Sequence, residues 1–569
     1  MGRRDHHTRP SAAELALHEQ TNLLPRGKLV LVLLTLSVTL LVTFIDQNGI
    51  SVALPTIAAD IHAQDTMSWA GTASLLGNTT FQMLYGRLSD LFGRKAVYLG
   101  AVALLALADL GCGLVRGPAA FYVCRGLAGV GGGGITNLSM IIVSDIVTLE
   151  QRGQYQGIIG AMVGLGNVAG PFLAAAFISS AHNWRGFFYL LAPLITLSGI
   201  LAFALLPSTS HGRPPWRENL HKIDYLGLLT SSSAVILLLI PISGGGNYYA
   251  WRSPMVIAML VLGSISLPAF LFVEWKLAKL PMMPLSIFAT PAVTVMLVQN
   301  FLFGAVYQSY LYYVPMYLQN AHGYTPLVSA AICAALVGMQ TLASVLSGQY
   351  ISRLKRYGEV IWCGFGLWTL GSGLSLLYTR RTPAGVIIVP LMVVGTGVGF
   401  IFQPMLVALQ AHVPQARRAV ITSNRNFFRC AGGAVGLAVS AAVLQATLRK
   451  RLPSAYASLA HSTYAVPDLT TIPAADAAAI LDAYMAASHA VFILLIPLIG
   501  VCLLGCILVR DQGLQYKYPT QPATAAPAIK GSIPPPQSGI IDSAASTNVE
   551  VDKNQGLLTD TEKNVERSL

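Results

Sequence analysis

The feature that most constrains this chain is a series of long apolar runs separated by short polar breaks. They lie near 29–54, 68–88, 96–115, 120–143, 155–179, 187–207, 225–242, 254–275, 291–317, 327–350, 360–378, 384–408, 427–447 and 487–509. A helix needs about 20 mainly apolar residues to cross a bilayer, and each run is of that order. The runs lack the alternation of a barrel strand, so helices are the spanning structures that satisfy their backbone groups in lipid. Only 11% of the residues are charged, against about 25% in soluble domains. The expectation is an all-α polytopic membrane protein with about fourteen spans.

Charge placement sets the expected orientation. The net charge of +12 is not gathered into a patch that would suit nucleic acid. The basic residues fall between runs, with Arg94, Lys95, Arg152, Arg213, Arg217, Lys276, Arg353, Lys355, Arg417 and Arg418 on one side. Fewer fall on the other, among them Arg116, Arg185 and Arg380. By the positive-inside rule both termini are cytoplasmic. The polar first 28 residues are followed by a run too long for a signal peptide, so that run is read as a first anchor.

The segments divide accordingly: a cytoplasmic tail at 1–28, six spans over 29–207, a basic linker at 208–224, two spans over 225–290, and six more over 291–510. The last six include an outer loop at 448–485, and 511–569, rich in Pro, Ser and Thr, is read as a disordered cytoplasmic tail. The seven cysteines lie in apolar runs without CxxC spacing, and the histidines show no metal spacing. Gly131–Gly134 is followed by no Walker lysine or serine. No metal, cofactor or ATP drive is therefore expected, nor an enzymatic activity.

Four motifs carry chemistry. Between the second and third runs stands Gly86-Arg87-Leu88-Ser89-Asp90-Leu91-Phe92-Gly93-Arg94-Lys95. Its glycines allow a tight turn, and Asp90 and Arg94/Lys95 put opposite charges at one helix boundary. The fourth run carries Arg125, which is costly in lipid and so faces either the bundle interior or, by snorkelling, the nearby interface. The first run carries Asp46 in Phe44-Ile45-Asp46-Gln47-Asn48-Gly49, a candidate titrating carboxylate or else a packing one. Asp109 in the third run is a weaker candidate. The fifth run carries Gly166-Asn167-Val168-Ala169-Gly170-Pro171, where small residues every fourth position make a flat packing face and Pro171 removes a backbone bond, so a kink is expected there.

The 86–95 loop resembles the signature loop of the major facilitator superfamily. The segments around Arg125, Asp46 and Gly166–Pro171 are similar to further motifs of its fourteen-span drug:proton antiporters, in a pattern like fungal members. Departures are Ala128 where Gln is common, Asn48 and Gly49 in the first motif, and Ala174-Ala175 in place of a glycine pair. The resemblance implies two pseudo-symmetric six-helix halves with two inserted helices, and a substrate site between the halves. It also implies proton coupling through Asp46 and Arg125. A gating cluster would comprise Gly86, Asp90, Gly93, Arg94, Lys95, Asp145 and Arg152, with Asp145 pairing Arg94; Gly166, Gly170 and Pro171 would form an antiporter motif. Candidate substrate residues are Gln299, Asn300, Tyr307, Gln308, Tyr310, Gln340 and Gln403, whose amides and phenols suit a neutral or weakly polar aromatic compound.

The leading expectation is proton-driven efflux of a drug, toxin or secondary metabolite by a monomer in the plasma membrane, with protons and a small molecule as partners. The alternative is a vacuolar proton-coupled transporter of basic amino acids, suggested by the dileucine-like Glu19-Gln20-Thr21-Asn22-Leu23-Leu24.

Overall fold

The computed structural model describes residues 24–63, 66–181, 183–207, 216–244, 249–456, 473–509, 511, 513 and 514. Fourteen long helices stand among them: α1 (Arg26–Asp60), α2 (Ser68–Phe92), α3 (Arg94–Leu114), α4 (Pro118–Ile146), α5 (Arg152–Ala181), α6 (Arg185–Leu205), α7 (Tyr225–Gly244), α8 (Pro254–Phe272), α9 (Pro291–Asn320), α10 (Pro326–Leu354), α11 (Gly358–Leu374), α12 (Ala384–Phe402), α13 (Arg418–Arg451) and α14 (Ala474–Gly505). Thirteen candidate spans among the described residues are long and apolar enough to cross a membrane. The remaining helix is α2, whose Thr79, Thr80, Gln82, Arg87 and Ser89 are buried inside the bundle. It can be polar because protein surrounds it. The outer surface is apolar, with Leu107 67% and Leu504 65% exposed, as lipid contact requires.

Helix pairing repeats with an offset of eight. In the first set α1 packs on α5, α2 on α4, α3 on α4 and α6; in the last set α9 packs on α13, α10 on α12, α11 on α12 and α14. The two sets meet along two seams, α5 with α10 and α2 with α13. The inserted α7 packs on both α2 and α13, and α8 packs on α7. After α8, Glu274 accepts hydrogen bonds from the main-chain N–H groups of Met282 (3.2 Å) and Met283 (3.1 Å). The strap so formed offers the Pro281 carbonyl to Arg87 Nε (2.7 Å) and the Met282 carbonyl to Asn424 Nδ2 (2.9 Å).

Two segments differ from the sequence reading. The outer loop drawn at 448–485 is shorter, because α13 continues to Arg451 and α14 begins at Ala474. Arg449–Arg451 fill the last turn of α13 and Asp476 the first turn of α14. Both placements complement the helix dipole, so the helices outrun their apolar stretches. Within the 208–224 linker a short helix, Trp216–Leu220, is anchored by Asn219 Nδ2 donating to the Leu91 carbonyl at 3.0 Å. The dileucine-like segment (except Leu24), Arg213 and nearly all of the tail at 511–569 lie outside the described residues.

Candidate functional site

Asp46 on α1, Asp109 on α3 and Arg125 on α4 converge inside the first set of helices. Arg125 Nη1 lies 2.7 Å from Asp46 Oδ1 and 3.9 Å from Asp109 Oδ1, and all three side chains are at most 1% exposed. The snorkelling alternative for Arg125 is thereby replaced by an interior position. Neither oxygen of Asp109 accepts a hydrogen bond from a donor, and Asp46 Oδ2 likewise has none. Two carboxylates therefore face one guanidinium, in a setting where an uncompensated charge is costly.

Two residues along α1, a polar chain begins that crosses the bundle. Asn48 Nδ2 donates to Asn167 Oδ1 (2.8 Å) on α5, Asn167 Nδ2 to the Tyr307 hydroxyl (3.3 Å) on α9, and Tyr307 to Gln340 Oε1 (3.0 Å) on α10. Asn167 belongs to the Gly166–Pro171 motif, whose Gly166 and Gly170 lie against Leu41, Phe44 and Ile45 of α1. The helix runs unbroken through Pro171.

At the other side of the centre, α13 brings Arg425 and Arg429 onto one face, four residues apart. Pro404, lacking an N–H, interrupts the ladder after α12; Leu406 N turns to the Gln403 carbonyl at 3.0 Å. The Phe402 carbonyl accepts from Arg425 Nη2. Arg425 also donates to Asn300 Oδ1 (3.2 Å) and Asn426 Oδ1 (2.9 Å). Both guanidinium carbons lie over the Phe402 ring, at 4.9 and 5.3 Å. Gln403 is 1% exposed, and neither of its amide atoms has a hydrogen-bond partner.

Of the candidate substrate residues, the structure brings Asn300, Tyr307, Gln340 and Gln403 towards this centre, and Gln308 faces α13 beside Gly433. Gln299 and Tyr310 stand apart. Gln299 Nε2 donates to the Cys502 carbonyl (2.7 Å) on α14, and Tyr310 bonds Ser375 (3.2 Å) and stacks on Phe492. Those two hold the second set of helices together. Sequence reasoning did not single out Arg425 and Arg429 as site residues; two arginines at i, i+4 beside asparagines were the available signal.

The 86–95 loop turns at Gly93, whose φ of 92° favours glycine. Arg94 Nη1 lies 2.6 Å from Asp90 Oδ1 and Arg94 Nε 2.9 Å from Asp145 Oδ2, while Asp90 also lies 3.8 Å from Arg87. Lys95 sits over the Phe203 ring at 5.0 Å, and Arg152 is buried nearby. Towards this Gly93 end, hydrogen bonds join the two sets: Asn137 to Ser423 (2.8 Å), Gln410 to Ser144 (2.8 Å), the Gln154 N–H to Ser352 (2.9 Å) and Ser344 to the Gly157 carbonyl (3.2 Å). Lys355 and Glu150 add an exposed ion pair at 2.7 Å. The bundle is closed at that end. An Asp145→Asn protein is expected to insert normally yet transport about fivefold more slowly, since a partly exposed pair contributes roughly 1 kcal/mol. Initial flux per inserted molecule checks this.

The profile of the Major Facilitator Superfamily matches residues 36–437. The chain belongs to the Major Facilitator Superfamily. A relative named Citrate exporter 1, from Yarrowia lipolytica, is 48% identical over 512 residues, covering 88% of this chain and 75% of its own. The MFS-type transporter clz4 of Cochliobolus lunatus is 44% identical over 506 residues, covering 89% and 90%. Among solved structures, the superfamily's proton:xylose symporter XylE is 12% identical with a TM-score of 0.57, covering 86% of this chain and 98% of its own; that likeness speaks for the fold alone. As a major facilitator, the protein is a membrane transporter and not an enzyme, and its all-α bundle is the superfamily's fold.

Proposed function

We propose that this transporter exports a small organic acid anion, with citrate as the reference substrate, in exchange for protons. It works by alternating access as a monomer. The observation that carries the coupling is the buried Asp46–Arg125–Asp109 cluster, where two carboxylates meet one guanidinium. One negative charge is left over, and one proton neutralises it. Both carboxylates share one guanidinium, so a proton taken up by either remains near Arg125 until the helices shift. The 48% identity to a protein named as a citrate exporter supports this choice of substrate class. On this reading the protein is a fourteen-span antiporter with both termini and the Gly93 end in the cytoplasm, and its site is the plasma membrane.

A second reading, export of a weakly polar aromatic drug or metabolite, is favoured by the ring cluster at the centre. Phe303 packs on Tyr307, Trp368 and Phe402 with centroids 5.7, 5.1 and 5.9 Å apart. Vacuolar transport of basic amino acids fits less well, since none of the described residues of α9–α14 is a buried Asp or Glu.

Purified protein in liposomes, given a pH gradient with labelled citrate or a neutral aromatic dye, separates the readings. Citrate flux driven by the gradient, with proton counterflow, is the expected result. Dye flux without citrate flux establishes the second reading instead, and lysine flux alone the third.

A further inference from the structure

Arg425 carries a buried charge without a counter-ion. It is 0% exposed, and every acceptor around it is neutral: Asn300, Asn426, the Phe402 carbonyl and, 3.7 Å away on α4, the Met140 sulfur. Arg429, one turn on, is half-buried with its Nε unpartnered. Among the described residues no carboxylate lies within 4.0 Å of either guanidinium, whereas Arg94 and Arg125 each have two. Two like charges beside one ring repel, and neutral acceptors do not cancel them. Such an arrangement is costly unless a ligand brings the missing charge.

We propose that Arg425 and Arg429, with the unpartnered amide of Gln403 and the Asn300 amide, form the site that binds a carboxylate group of the substrate. This rests on the organic-anion reading and names the residues that execute it. Guanidinium forks match carboxylate oxygens in plane and spacing, and the Gln403 amide supplies a further donor. The site also changes with conformation. In the closed arrangement Arg425 is pinned in the seam, by Met140 directly and through Asn426, which donates to Asn137 on α4 at 3.3 Å. Parting α4 from α13 at the Gly93 end releases these contacts and frees Arg425 to meet an anion beside Arg429. Two guanidinia then hold the anion at that end. Reclosure returns Arg425 to its neutral acceptors, and the anion is held more weakly and leaves on the other side.

The test is citrate binding by the purified full-length protein, read from thermal stabilisation, with the uncharged trimethyl ester as control. Citrate is expected to stabilise the wild type and the ester not. Arg425→Gln and Arg429→Gln should each weaken binding about tenfold or more, since a charged hydrogen bond contributes roughly 1.5–3 kcal/mol, and Arg425→Lys should lose less. Arg449→Gln, at the exposed end of α13, should match the wild type. Arg429→Gln keeps the test decisive if Arg425→Gln fails to fold. No citrate stabilisation of the wild type, or wild-type affinity in the folded Gln variants, overturns the site. Flux measured alongside separates the two claims. Binding lost in the variants but no gradient-driven citrate flux in the wild type sinks the export reading alone, and wild-type flux with an unchanged KM in the variants sinks the site alone.

Discussion

An Arg125→Met protein is expected to lose about 3–5 kcal/mol of stability, the effect of stripping one partner from a buried ion pair, and with it all gradient-driven flux. The loss is large because Asp46 and Asp109, both at most 1% exposed, would remain without their guanidinium. Adding Asp46→Asn and Asp109→Asn to the same protein should restore most of the stability, since a buried charged cluster replaced as a whole by neutral groups of similar size is often tolerated. Transport should stay absent. Asp46→Asn alone should leave a folded protein that exchanges labelled for unlabelled citrate across the membrane yet no longer concentrates it against a pH gradient. Thermal melts in detergent and paired exchange and uphill assays check all three. Uphill transport by Asp46→Asn would remove Asp46 from the coupling path.

The second large effect is steric. At the crossing of α9 and α13, a Cβ added to Gly432 would land on the Phe301 carbonyl, and one added to Gly304 on the Arg429 carbonyl. The two backbones touch through a pair of glycines, so neither can give way by a side-chain rotation. Gly432→Val is expected to cost about 3 kcal/mol, the upper part of the overpacking range, and to cut the yield of folded protein sharply. Gly433→Ala serves as the control, because its Cβ would meet nothing closer than 3.4 Å. The yield of monodisperse protein and its melting temperature decide the matter. Equal behaviour of the two variants would show that α9 and α13 can separate freely.

The fold was legible because lipid leaves its mark on every span: apolar runs of membrane length stand out without knowledge of their neighbours. The ends were less legible. α13 leaves the apolar layer and continues on its own hydrogen bonds, and only its dipole-matched basic residues betray where it stops. Asp46 and Arg125 were legible as exceptions within apolar runs, though a separation of 79 positions hides the 2.7 Å contact. Asp109, the weaker candidate by sequence, lies 3.9 Å from the same guanidinium. The polar residues of α9 were harder to sort. That helix packs on α13, α14 and α10, so polar groups on several faces find partners, and no sequence period separates Tyr307, facing the centre, from Gln299, bonded to α14. Arg425 escaped because the apolar run was drawn from residue 427, which left it just outside the span.

The inserted helices make the two seams unequal. α7 lies against both α2 and α13, with Val235 and Leu239 meeting Ala434 and packing on Leu75, Leu76 and Phe427, and the Pro281–Met283 strap crosses the same seam. No comparable cover from the described helices lies over α5 and α10. Parting of the two sets is therefore resisted on the α2–α13 side by α7 and the strap as well as by the seam itself, and on the α5–α10 side by the direct contact of those two helices alone.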